Sequence, residues 1–118
     1  MKKDFDQRLY KYAINIVKCV DRFTGDTSAQ VIAKQLVRSG TSVVANIVEA
    51  KGASSRKDYI NFYMYSLKSA NESKMWIGLA RDTGKIQKII ADPLLKETHE
   101  IADILGASII TMKRNITK

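Results

Sequence analysis

Apolar residues recur at three- and four-residue steps along most of the chain, and nowhere does strict two-residue alternation replace them. Phe5, Leu9, Tyr12, Ala13, Ile16, Val20 and Phe23 form one stripe and predict a first helix from about Asp4 to Phe23. Thr24-Gly25-Asp26-Thr27 reads as a loop. A second helix starts at Thr27 or Ser28 and runs to Lys51, with Ile32, Leu36, Ser39, Val43, Ile47 and Ala50 as its main stripe. Gly40 interrupts it at a cost of about 1 kcal/mol. A third helix spans about Arg56 to Thr83, capped by Ser54 or Ser55, the latter with Asp58 three residues on, and stopped by Gly84. Ile86 to Ala91 reads either as a short turn or as the extension of a bent helix. Asp92-Pro93 predicts the start of a fourth helix, a cap followed by proline at the first position. That helix reaches about Asn115, with Leu94, Ile101, Leu105, Ser108, Met112 and Ile116 on one side. The expected fold is all-α, an antiparallel up-down four-helix bundle forming one domain over residues 1–118.

Helices 2 and 3 carry more apolar surface than one stripe requires. Helix 2 has a second flank of Ala33, Val37, Val44 and Val48, turned by roughly 130° from the first. Helix 3 has an uncharged face from Tyr59, Phe62 and Tyr63 through Ser66, Ala70 and Ser73 to Ile77 and Ala80, and a further face of Ile60, Met64 and Leu67. Left in water, such faces make an unusually large apolar patch. A homo-oligomer interface along helices 2 and 3 is therefore expected, using Val37, Val44, Ala45, Val48, Ser66, Ala70 and Ser73; small residues there permit close helix approach. The competing reading places these wide stripes inside one monomer.

Charge adds a partner class. Lys and Arg number 20 against 12 Asp and Glu, a net +8, which favours polyanions such as RNA or DNA. Arg8, Lys11, Lys18 and Arg22, with Asn15 among them, share a face opposite the helix 1 stripe, and no acid falls within the row. The row spans about 21 Å. A second candidate is the link from Lys51 to Lys57, where Lys51, Arg56 and Lys57 flank Ser54 and Ser55 at the positive end of helix 3. Ordinary capping is the plainer role for both serines. Lys113, Arg114 and Lys118 add a basic tail. Contacts to phosphates carry no base identity, so weak sequence discrimination and strong salt dependence are expected. Tyr10, Tyr65 and Trp76 could stack on bases if exposed, although bundle aromatics more often lie in the core. Asn46 falls on the helix 2 stripe and is expected to tie that helix to the following link or to another helix; Glu49 is expected to pair with a cation of the same or a neighbouring subunit.

Catalytic chemistry is not written in the chain. Cys19 is the single cysteine and His99 the single histidine. Cys19 borders the core stripe and reads as a small buried residue, and no internal disulfide can form. His99 with Glu100 and Asp103 would hold a metal only weakly, and no zinc motif, nucleophile elbow or phosphate-binding loop is present. No enzyme, cofactor or metal is expected. The N-terminus lacks an apolar signal core and no apolar run reaches about 18 residues, so a cytoplasmic protein without a membrane partner is expected.

The segment SVVANIVEAKGASSRKDYINF, from Ser42 to Phe62, resembles the central signature of the four-helix-bundle proteins encoded within bacterial 23S rRNA intervening sequences. That pattern reads approximately SIPANIAEG, a short basic serine-containing link, then K-[DE]-[FY]-I-x-[FY]. Ser42, Ala45, Asn46, Ile47, Glu49, Gly52, Ser55, Lys57, Asp58, Tyr59, Ile60 and Phe62 fall in register, and Ser69, Glu72, Leu79, Ala80, Asp82, Gly84 and Ile86 continue it. EIADILGASIITMKRN resembles the family's last helix. Val44 stands for the usual proline and Ala50 for a glycine, which predicts a straighter end to helix 2; Lys74 replaces a second acid. The resemblance implies a cyclic homopentamer and kinship with accessory proteins of diversity-generating retroelements, which bind nucleic acid and a reverse transcriptase. It makes Asn46, Glu49, Gly52 and Ser55 structural motif positions. The functional expectation is a non-catalytic nucleic-acid-binding accessory protein, with a protein-interaction scaffold, such as a reverse-transcriptase subunit, as the alternative.

Overall fold

The computed structural model describes residues 2–117, and the side chains of Lys2, Ile116 and Thr117 lie outside that description, as does Lys118. Four helices follow one another: α1 (Lys2–Val20), α2 (Thr27–Lys51), α3 (Arg56–Asp82) and α4 (Lys88–Thr117). They pack as an antiparallel bundle of 51 × 22 × 22 Å, each helix against its two neighbours around the square. The α2–α3 and α3–α4 seams are the most extensive, and α1 and α4 touch least. Among the described residues there is no strand.

Local chemistry sets the helix ends. Asp26 caps α2 by accepting from the Ala29 N–H at 2.7 Å. Ser55 caps α3 by accepting from the Asp58 N–H at 3.1 Å, as its spacing to Asp58 predicts. After α3 the chain reverses through Gly84 at φ 75°, a left-handed conformation that glycine adopts without strain. α1 stops at Val20, short of the expected Phe23, and a turn carries Arg22 beyond the regular helix. α2 is one unbroken helix to Lys51, consistent with the absence of the proline and glycine of the family pattern.

The start of α4 corrects the sequence reading. The helix begins at Lys88, so the ambiguous stretch before Asp92 is largely helical and Pro93 sits inside it. Gln87 supplies the first carbonyl, accepting from the Ile90 and Ala91 N–H groups at 3.0 Å each. Asp92 is no cap. Its carboxylate accepts from Arg81 Nη1 at 2.9 Å, tying the new helix back to the end of α3. Pro93 has no N–H to give the Ile89 carbonyl four residues earlier.

The main stripe of α2 is buried throughout, with Leu9, Tyr12 and Ile16 of α1, Ile77 of α3 and Ile101 and Leu105 of α4 meeting it. Gly40 is a contact point: a Cβ there would meet three Ile16 side-chain carbons at 2.8 Å. The core also contains hydroxyls from all four helices. Tyr12 Oη and Thr98 Oγ1 are 2.8 Å apart, and Ser39 Oγ and Ser73 Oγ also 2.8 Å. Thr98 donates to the Leu94 carbonyl and Ser73 to the Ser69 carbonyl, both at 2.8 Å. Every buried side-chain polar atom among the described residues has a partner.

These hydroxyls settle where the leftover small residues of α3 go. Ser66, Ala70 and Ser73, expected at an intersubunit surface, are fully buried within the monomer. Ser66 donates to the Val43 carbonyl at 2.6 Å, so small side chains bring α3 against α2 of the same chain. Val37 and Val44 are half-buried against that core, whereas Ala45 and Val48 remain on the surface. Val48, at 61% exposure, joins Tyr10, Ile14 and Val17 of α1 as apolar side chains facing outward.

Candidate nucleic-acid interface

The cationic face of α1 is only partly available. Arg8 Nε and Nη2 donate to the two Glu97 carboxylate oxygens at 2.9 and 2.5 Å, and Nη2 reaches Glu100 at 3.1 Å. The Glu97 hydrogen bonds hold the guanidinium proton more tightly than usual. The row contains no acid of its own, but α4 supplies two from across the seam. Lys11, Lys18 and Arg22 differ: each is exposed and makes no ion pair among the described residues. Lys11 and Lys18 lie about 11 Å apart along α1, and Arg22 follows in the turn after it.

The link between α2 and α3 is similarly divided. Lys51 pairs with Asp6 of α1. The N-terminus of α3 is served by Asp58, whose N–H donates to Ser55 and whose carboxylate accepts from Ser54 Oγ at 3.2 Å. That internal carboxylate takes the place an external anion would seek. Lys57 is exposed, and the Arg56 guanidinium stands 5.8 Å from the Tyr59 ring centroid. Gly52 caps α2, its N–H directed to the Glu49 and Ala50 carbonyls. Asn46 bonds within its own helix, donating from Nδ2 to the Ser42 carbonyl at 2.8 Å, and not to the link or to another helix. Glu49 is exposed and makes no ion pair among the described residues.

The aromatic candidates separate cleanly. Tyr10 and Tyr65 are exposed, at 67% and 50%. Trp76 is half-buried and donates from Nε1 to Glu72 at 2.8 Å, the same carboxylate that pairs with Arg38. Cys19 is buried as its position on α1 predicts, and burial pushes its thiol up to about 11. His99 is exposed, and no group of three or more metal-ligating side chains forms among the described residues. No helix among them is long and apolar enough to cross a membrane.

The α1–α4 seam opens into a cleft beside the free cations. Its volume is about 320 Å³, with Asn15, Lys18 and Arg22 on one side and Ile89, Pro93 and Leu94 on the other. Sequence reading missed it, because it depends on Pro93 lying inside α4.

Comparison with known proteins places this architecture. The chain is similar over 88% of its length to a solved structure from Bacteroides thetaiotaomicron, a protein of unknown function from the S23 ribosomal protein family. The identity is 34%, the match covers 96% of that protein, and the TM-score is 0.82. A comparison with curated proteins finds no match. The family model of the 23S rRNA-intervening sequence protein matches residues 2–107. With that model spanning most of the bundle, the chain belongs to the 23S rRNA-intervening sequence protein family.

Proposed function

We propose that this protein is a non-catalytic, oligomeric accessory protein that binds the backbone of RNA or DNA through Lys11, Lys18 and Arg22, with Arg56 and Lys57 as a second, smaller contact. The observation that carries the reading is the edge of α1 and the turn after it, where these three cations project without a carboxylate partner among the described residues, in a chain of net charge +8. Arg8 and Lys51 are assigned to the scaffold, since Glu97, Glu100 and Asp6 neutralise them. Repetition of this edge around a closed ring, five copies by the family resemblance, multiplies modest contacts by avidity. Tyr10, Ile14, Val17 and Val48 supply the exposed apolar surface for that assembly. The test is a salt titration of binding to single-stranded RNA and DNA by the wild type and by the triple variant Lys11→Gln, Lys18→Gln, Arg22→Gln. The expected result is weaker binding and a shallower salt slope for the variant. Equal slopes would overturn the reading.

A second reading, a protein-interaction scaffold, rests on α3, where Met64, Tyr65, Met75 and Leu79 are exposed. Methionine-rich surfaces adapt to partner helices. Under that reading, a nucleic-acid enzyme of the host element would be retained by the triple variant and lost on Met75→Asp.

A further inference from the structure

The α1–α4 cleft joins a cationic rim to an apolar lining. Asn15 and Lys18 of α1 and Arg22 of the following turn form its polar rim. Cys19 and Leu94, both buried, form its apolar base, and the exposed Pro93 joins Ile89 on the α4 side. Ile89 stands at the mouth with 78% of its surface exposed, the largest value among the exposed large apolar side chains described. Glu97 also lines the cleft, but its carboxylate oxygens are engaged by Arg8. The volume, about 320 Å³, lies at the lower end of the range of small-ligand sites, roughly 300–1,000 Å³.

We infer that this cleft accepts one unstacked base of a single-stranded nucleic acid whose phosphates lie on Lys18 and Arg22. A base offers two flat apolar faces and a polar edge, and it arrives attached to the anion that the rim attracts. Inside, one face would rest against Ile89 and Leu94, with the other turned toward the α1 rim. The edge would meet the Asn15 amide and the Ile89 carbonyl, which Pro93 leaves without its helical donor. A duplex keeps its bases stacked and cannot fill the cleft, so the site favours single strands by shape and by apolar contact, with little base identity. This inference deepens the proposed backbone reading and rests on it.

The test uses the full chain and two single-stranded oligonucleotides of the same length and charge, one complete and one with abasic positions. The wild type is expected to bind the complete strand roughly tenfold more tightly, the scale of one stacked base. Ile89→Ala removes an exposed wall and Asn15→Met fills the opening from a surface position. Each should reduce the preference severalfold, with abasic-strand affinity and thermal stability unchanged. Equal wild-type affinity for the two strands would overturn the base site and leave the backbone reading standing. So would an undiminished preference in both variants. Absence of salt-dependent binding to either strand would overturn both readings.

Discussion

The Tyr12 hydroxyl of α1 meets the Thr98 hydroxyl of α4 at 2.8 Å in the core of the bundle, joining the two neighbouring helices whose seam is the least extensive. Thr98 donates its own hydroxyl hydrogen bond to the Leu94 carbonyl, which leaves Tyr12 to donate to Thr98. Burial raises the Tyr12 phenol to about 12. The unfolded chain, with an ordinary value of 10.0, releases that proton first. Stability from this group is therefore complete below about pH 10 and is lost as pH rises toward 12. The loss is about 2 kcal/mol at the upper limit. Cys19, raised from 9.0 to about 11, adds to it from about pH 9 upward. Urea titrations at intervals from pH 8 to 11.5 should show falling stability, less steeply in Tyr12→Phe. A flat profile would contradict the buried phenol.

Gly40 should resist replacement despite lying in a helix. Alanine improves helix propensity by about 1 kcal/mol, but its methyl would lie 2.8 Å from Ile16 carbons that branch close to their own backbone. Overpacking of this kind costs about 1–3 kcal/mol, so Gly40→Ala is expected to be destabilising overall. Combining it with Ile16→Ala should recover part of the loss, giving a coupling energy of the sign that additive effects exclude.

Pro93 predicts the opposite sign. An interior proline is disfavoured by about 3 kcal/mol relative to alanine, and here the bond to the Ile89 carbonyl is absent. Pro93→Ala should raise stability by at least about 1 kcal/mol in a chemical melt. A decrease would mean that the ring's packing in the cleft outweighs the missing hydrogen bond.

The acids opposite α1 should restrain binding. Replacing Glu97 and Glu100 together by Gln frees Arg8 without changing any cation of the surface. Affinity for single-stranded RNA at low salt is expected to rise, and the salt slope to steepen by about one phosphate contact. Unchanged affinity would show that Arg8 faces away from the bound strand.

Self-association should depend on the outward apolar residues of α1 and α2 and not on the small residues of α3. Val48→Asp is expected to lower the mass measured by light scattering while leaving helix content intact, because Val48 is exposed. Ser73→Asp should unfold the chain instead, since it would place an unpaired charge in the core.

Much of this bundle was legible from periodicity. The stripe from Ile32 to Ala50 is buried as written, because a helix face can be derived from one segment alone. The Ser55 cap and the Gly84 turn were legible for the same reason; each depends on neighbours a few residues away. What escaped depends on distant partners. Nothing near Arg8 announces that Glu97 lies beside it, 89 residues later in the chain. Ser66 and Ser73 looked like surface for close approach between subunits, and they do permit close approach, but between α3 and α2 of one chain. Asp92-Pro93 carries a strong start signal, overridden when Arg81 drew the Asp92 carboxylate across the α3–α4 turn. The candidate cations were found from their spacing; which of them remain unpaired was not.

The connection between Thr24 and Lys85 distinguishes the two poles of the rod. The Thr24 N–H donates to the Lys85 carbonyl at 3.2 Å, and the Lys85 ammonium reaches Asp26 at 2.8 Å, so the two hairpin bends at that pole are stitched together. At the opposite pole a single bend lies beside the first turn of α1 and the last turn of α4. Fraying should therefore begin there and travel toward the stitched bends, and helix amides next to those bends should exchange with heavy water more slowly than helix amides at the opposite pole.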